Sequence, residues 1–131
     1  MFLLPRSLYD RMLRDARAAL PREAAGFLFG RDSVAVRYQP MQNIAAVDHA
    51  FAMDSREVEA VLAAARETAL AIFHSHPTDL PVPSGADFAG AAGWRSSYHL
   101  IVSLAGGDQV LRCWRLFDGQ ALPEPLHIVE D

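Results

Sequence analysis

Two histidines one residue apart, His74 and His76, close the apolar run Leu70-Ala71-Ile72-Phe73. In an extended strand, residues i and i+2 project from one face, so both imidazoles can reach a single metal ion. Neutral imidazole is a good zinc ligand at roughly 2.0–2.1 Å. On its own, His-x-His also describes two half-buried histidines at a strand end. Farther along, Ser84 and Asp87 are spaced i and i+3, on one side of a helical turn. Ser-x-x-Asp just after a proline is also close to a capping box. The two readings are compatible, because a residue at the start of a helix is held rigidly and can point across a cleft. Taken together, the four residues describe more than either pair. Residues 77–83, stiffened by Pro77, Pro81 and Pro83, return the chain from His76 to Ser84, and Asp87 offers a third ligand. Two histidines and one carboxylate leave a fourth tetrahedral position for water, the pattern of a catalytic zinc site rather than a closed structural one.

The elements that must position these residues follow from periodicity. Leu8, Met12, Ala16, Ala19 and Leu20 form one apolar stripe, which predicts a helix over residues 7–20. Ser7 with Asp10 reads as its cap, and Pro21 as its stop. Residues 23–30, apolar and closed by glycines, predict a buried strand. Arg31-Asp32-Ser33 turns the chain into a second strand over 34–38. Residues 43–48 read as a loop and 50–53 as a short strand. Asp54 and Glu57 cap a second helix, with Val58, Val61, Leu62 and Ala65 on its inner face. The run 70–73 fits a strand covered on both faces. Ser84 opens a small helix to about residue 92. Strands follow over 98–104 and 110–117, joined through Gly106-Gly107. The tail, with Pro123 and Pro125, reads as an edge segment or a loosely held end. Two to three helices interleaved with about six strands predict an α/β fold: a mixed, mostly antiparallel sheet flanked by helices.

Composition bounds the rest. The chain has 131 residues, 51% of them hydrophobic and 21% charged, which suits one globular domain over residues 1–131. A (β/α)₈ barrel is excluded by length, since it needs about 200 residues or more. One cysteine, Cys113, excludes an internal disulfide and a Cys-rich zinc module, and it reads as a small buried apolar residue. Sixteen Asp and Glu against twelve Arg leave a net charge of −4, which argues against a broad phosphate-binding surface and hence against nucleic acid. No lysine occurs, so no lysine amine is available for conjugation, a Schiff base or acetylation. Four apolar residues near the N-terminus are too few for a secretory core, and no run approaches the ~18 needed to span a bilayer. A cytoplasmic setting without membrane attachment is the expectation. His49, His99 and His127 fit no ligand spacing and read as surface or satisfied histidines. Trp94, Trp114, Tyr98 and Phe117 read as core or rim, and Asp79 as a solvated loop acid. A homodimer is compatible with the sequence, which identifies no interface.

His74-Ser75-His76-Pro77 followed by Ser84-Gly85-Ala86-Asp87 resembles the His-x-His-x₇-Ser-x₂-Asp signature of the JAMM (MPN+) zinc metallopeptidases, in their compact prokaryotic form. Upstream, Glu23-Ala24-Ala25-Gly26-Phe27-Leu28-Phe29-Gly30 resembles that family's Glu-x-x-Gly-x-Leu-x-Gly strand. The resemblance implies a JAMM/MPN fold, whose order of elements is broadly similar to that of cytidine deaminases. The deaminases' own His-x-Glu and Pro-Cys-x-x-Cys are absent. It further implies one zinc ion per chain on His74, His76 and Asp87, with a water in the fourth position. Glu23 would take that water's proton and deliver it to the leaving amine, and Ser84 would donate to the developing oxyanion. The implied substrate is a ubiquitin-like or sulfur-carrier β-grasp protein, cut after its C-terminal Gly-Gly at a peptide or isopeptide bond. The alternative is a non-catalytic MPN-type interaction module, as members lacking the motif are. Glu23 precedes His74 by 51 residues, so only the fold can bring the two together.

Overall fold

In the computed structural model the described residues are 1–85, 87, 98–107 and 109–131. Most of the helix expected over 84–92, and Trp94, lie outside them. The chain runs β1 (Phe2–Pro5), α1 (Arg6–Ala19), β2 (Ala25–Arg31), β3 (Val34–Met41), α2 (Ser55–Ala64), β4 (Thr68–His76), β5 (Tyr98–Ser103), β6 (Val110–Phe117), β7 (Gln120–Glu124) and β8 (Leu126–Val129). The strands form one sheet in the order β7-β6-β5-β4-β2-β3-β1-β8. Four of the seven pairings among the described residues are antiparallel. The β1–β3, β1–β8 and β4–β5 pairs are parallel. The expected mixed, mostly antiparallel sheet with flanking helices is therefore the observed one. Among the described residues, no helix is long and apolar enough to cross a membrane.

The central strands alternate between two cores. Leu28, Ala71 and Phe73 pack with Leu8, Met12, Leu13 and Ala16 of α1. Their strand neighbours Phe27, Phe29 and Ile72 pack toward Val58, Val61 and Leu62 of α2. That double coverage is why residues 25–30 and 71–76 are buried without interruption. Each large apolar side chain so hidden contributes about 1.5–3 kcal/mol. Gly26 sits where a Cβ would lie 2.7 Å from the Gln39 carbonyl oxygen, so β3 can approach β2 only over a glycine. Asp32 and Ser33 both have positive φ, which makes the tight β2–β3 turn a two-residue hairpin loop.

Several local expectations change. The α1 N-terminus has no side-chain cap from its own residues. Instead Asp131 accepts from the Ser7 amide at 3.0 Å and from the Ser7 hydroxyl at 2.6 Å, so the chain's last residue covers the orphan donor. Residues 50–53 are not a strand, because the Ala52 amide and the Ala50 carbonyl are both bonded by the side chain of Asn43. Phe2–Pro5, not anticipated as an element, is a strand whose Phe2 and Leu4 are fully buried. The tail forms the two sheet edges: β7 lies at one and β8 at the other, with Pro125 between them in sequence. Asp54 caps α2 as expected, accepting from the Arg56 and Glu57 amides.

Candidate metal centre

Register explains how a separation of 51 residues closes. β2 and β4 run antiparallel with Ala25 opposite His74. Continuing that ladder places Glu23 beside His76 and on the same face, since side chains repeat every second residue. Two hydrogen bonds extend the ladder there: the Ser75 amide donates to the Ala24 carbonyl at 3.1 Å, and the Ala24 amide donates to the Ser75 hydroxyl at 2.8 Å. Ligand atoms of Glu23, His74 and His76 all lie within 4.8 Å of one another, and the three residues are buried.

Asp87 completes the group. The His74 Nε2 and His76 Nε2 atoms are 3.2 Å apart. Asp87 places Oδ1 3.2 Å from the former and Oδ2 3.5 Å from the latter. Donors held at 2.0–2.1 Å around a tetrahedral ion are about 3.3 Å from each other, so these separations suit zinc. His76 Nδ1 lies 2.7 Å from the Leu80 carbonyl, which can only accept. The ring proton is therefore on Nδ1, and the Nε2 lone pair faces His74. Phe51 stacks on the His74 ring with centroids 4.5 Å apart, fixing its plane. His74 Nδ1 has no hydrogen-bond partner among the described residues.

The electrostatics ask for a cation. Glu23 Oε1 is buried with no hydrogen-bond partner among the described residues. Burial pushes the Glu23 carboxyl up to about 7; the Asp87 and Asp79 charges add to the rise and His76 opposes it. Burial also holds the His74 imidazole below its ordinary value. At Asp87 burial acts upward, but its contacts with the His74 and His76 rings outweigh it and keep the carboxyl well below the usual range. A site of two imidazoles, an ionised aspartate and an orphaned glutamate oxygen fits a divalent metal and its water.

Ser84 is exposed and shares a reciprocal cap with Asp87. Its amide donates to Asp87 Oδ2 at 2.7 Å, and its Oγ accepts from the Asp87 amide at 3.3 Å. The capping reading of Ser-x-x-Asp therefore holds in the same structure that brings Asp87 to the histidines. Because Oγ is the acceptor in that bond, its own proton is left to donate elsewhere.

The chain matches the family described as prokaryotic homologs of the JAB domain over residues 5–117. The chain belongs to this family. As a prokaryotic JAB protein it is similar to the CysO-cysteine peptidase of Mycobacterium tuberculosis, at 31% identity over 94% of this chain and 88% of the relative. It is similar as well to the desampylase of Pyrococcus furiosus, at 32% identity over 82% of this chain and 76% of that protein. A Desulfitobacterium hafniense protein solved in solution superposes with a TM-score of 0.89 at 30% identity, covering 100% of this chain and 94% of that one.

Four residues of this JAB domain do positioning work that the sequence does not announce. Ser75 ties the Glu23–Ala24 backbone to β4. Asn43 donates to the Glu23 carbonyl at 2.9 Å while its Oδ1 holds the amides of Ala45 and Ala52. Ser103 donates to the Asp79 carbonyl at 2.6 Å, and the Trp114 indole donates to the Pro81 carbonyl at 2.9 Å, so two strands anchor the loop between His76 and Ser84. Trp114 is thus more than rim. His49, expected as a bland surface histidine, lines a cleft beside Glu23. His99 is buried in β5 opposite Ile72, and His127 is exposed on β8. Cys113 is buried, as its reading required.

Proposed function

We propose that this prokaryotic JAB protein is a zinc-dependent peptidase or isopeptidase that cuts after the C-terminal Gly-Gly of a ubiquitin-like or sulfur-carrier protein. The observation that carries the proposal is the gathering of Glu23, His74 and His76, with Asp87 against both imidazoles, in one buried group. The relatives' names, a CysO-cysteine peptidase and a desampylase, support a peptidase and a substrate of that class.

His74, His76 and Asp87 would hold one zinc ion per chain. When bound there, zinc supplies Lewis acidity, which lowers a ligated water's pKa from 15.7 to about 7. Glu23, buried and with its Oε1 unpartnered among the described residues, accepts the proton of the attacking water and passes it to the nitrogen of the leaving amine. Ser84, fixed by its cap with Asp87, directs its hydroxyl proton at the oxygen that gains charge. The exposed Leu80 and Val82, on the anchored loop, offer apolar surface beside the site to a protein substrate.

The test is cleavage of a ubiquitin-like protein fused after its Gly-Gly, with zinc supplied and then with a chelator. Cleavage at that bond that stops on chelation is expected. Equal rates in both conditions contradict the proposal, and no cleavage in either favours the interaction module.

A further inference from the structure

Glu23 is bracketed by two ladders. β4 brings His76 to one side of it and β3 brings Asn43 to the other: Met41 pairs with Ala25, and the antiparallel register continued by two residues sets Asn43 beside Glu23. The Asn43 side chain there uses its full hydrogen-bonding capacity. Nδ2 donates to the carbonyls of Glu23 at 2.9 Å and Ala50 at 3.1 Å. Oδ1 accepts from the amides of Ala45 at 2.9 Å and Ala52 at 3.1 Å. The partners on one side can only accept and those on the other only donate, which fixes the orientation of the amide. Two of these bonds grip the peptide groups on either side of Phe51, whose ring stacks on His74 with an interplanar angle of 21°. The segments are joined again by Arg22, which donates to the main-chain carbonyls of Asn43 and Ala45.

We infer that Asn43 is a positioning residue for both halves of the site: one planar amide sets the Glu23 backbone and, through Phe51, the plane of the His74 ring. Glu23 stands just before β2, and Phe51 lies in a stretch without regular structure, so Asn43 supplies to both the hold that a strand ladder gives elsewhere. The two imidazoles differ in how they are oriented. His76 is fixed through Nδ1 by the Leu80 carbonyl, the usual arrangement behind a metal ligand. Among the described residues, His74 Nδ1 has no such partner, and the stacked Phe51 ring orients that imidazole instead. A ring can hold its neighbour's plane only where its own backbone is held, which is what Asn43 does. Aspartate at this position would lack both donors, and glutamine would set the amide farther from the main chain. Toward Glu23 this role rests on the proposed peptidase reading; toward His74 it does not.

Zinc affinity, read by competition with a chelating dye, tests the His74 half without turnover. Phe51→Leu and Asn43→Ala should each weaken zinc binding by about tenfold, the low end for residues behind a ligand. Because both act through one ring, the double variant should lose less than about twofold beyond Phe51→Leu. In the zinc-loaded protein the Phe51 ring current shifts the His74 ring protons upfield, and Asn43→Ala should move them toward their positions in Phe51→Leu. Additive losses in the double variant overturn the inference whether or not the protein is a peptidase. So do parent zinc affinity and parent His74 resonances in Asn43→Ala, where a lower thermal midpoint alone would mark a purely structural role. Should Asn43→Ala not fold, Asn43→Asp keeps both acceptor bonds, loses both donors and carries the same cycle with the same expected result. The Glu23 half is read at saturating zinc on the Gly-Gly fusion. There Asn43→Ala should lower kcat about tenfold with KM within about twofold of the parent, as a displaced carboxylate would. Phe51→Leu should recover most of its kcat once zinc saturates. Parent kcat in zinc-saturated Asn43→Ala overturns the Glu23 half and leaves the peptidase reading intact. A parent that cuts nothing contradicts the peptidase reading and the Glu23 half with it, while the zinc cycle still decides the coupling to His74.

Discussion

His76 shows how much chemistry one hydrogen bond can set. Its Nδ1 proton is committed to the Leu80 carbonyl, so Nε2 meets His74 Nε2 as a lone pair. That lone pair, the Asp87 carboxylate and the orphaned Glu23 oxygen converge, an arrangement that a bound cation relieves. Glu23→Gln keeps that ligand shell, so it should bind metal and unfold like the parent while losing about 10²–10⁴ in turnover, the usual worth of a general base. Metal content and kcat measured on the same sample check both halves. Ser84→Ala should retain metal and lose about 10²–10³ in kcat, since the proposed oxyanion donor goes. Cys113 makes a different statement. Burial is the main cause pushing its thiol up from 9.0 to about 12. The folded state therefore keeps a proton that the unfolded state releases, and stability falls as pH rises through that window by about 1.4 kcal/mol per unit. Unfolding midpoints of the parent and of Cys113→Ala, followed from about pH 8 to 11, should diverge with that sign; parallel curves contradict it. At this scale the residues proposed as ligands could be picked out, because strand period and i,i+3 spacing are local rules. Ser75 and Asn43 were not: each bonds backbone brought near only by the fold, and neither side chain belongs to a recognisable spacing.

At the scale of elements, the β2–β4 ladder is what converts separate motifs into a site. Glu23 stands before the first residue of β2, and its neighbour Ala24 is pinned to β4 by Ser75. Ser75→Ala would leave the buried Ala24 amide without that partner, at a cost of about 1–3 kcal/mol. The expected result is a lower denaturation midpoint together with reduced turnover, because the same bond orients Glu23. A variant with full activity and parent stability would show that Ser75 merely fills space. The long strands and α2 were readable from apolar periodicity and from the Asp54 cap. β1 was not, because four residues carry too little period and its partners, β3 and β8, are distant in sequence. The α1 cap was misassigned to Ser7 and Asp10 for a related reason: Asp131, with no local signal, reaches the same amide.

For the molecule as a whole, the metal is expected to be part of the folding free energy. A ligand that binds only the native state stabilises it by about 2.7 kcal/mol when present at 100 times its Kd. Chelation should therefore lower the thermal midpoint reversibly, and zinc should restore it. His74→Ala should lose both the metal and this dependence, and a midpoint indifferent to chelator in the parent would contradict a resident ion. The family was legible in the sequence because its motif joins five specified side chains across two segments, and the match over residues 5–117 agrees. The cleft beside Glu23 was not, since Leu20, Asp48 and Asp79 come from three separate connections. The most direct measurement is anomalous diffraction at the zinc edge from crystals grown with zinc. One peak per chain is predicted, bonded to His74 Nε2, His76 Nε2 and an Asp87 oxygen, with the Glu23 carboxylate reaching it only through water. A peak elsewhere, or Glu23 turned away from the ion's fourth position, would contradict the account.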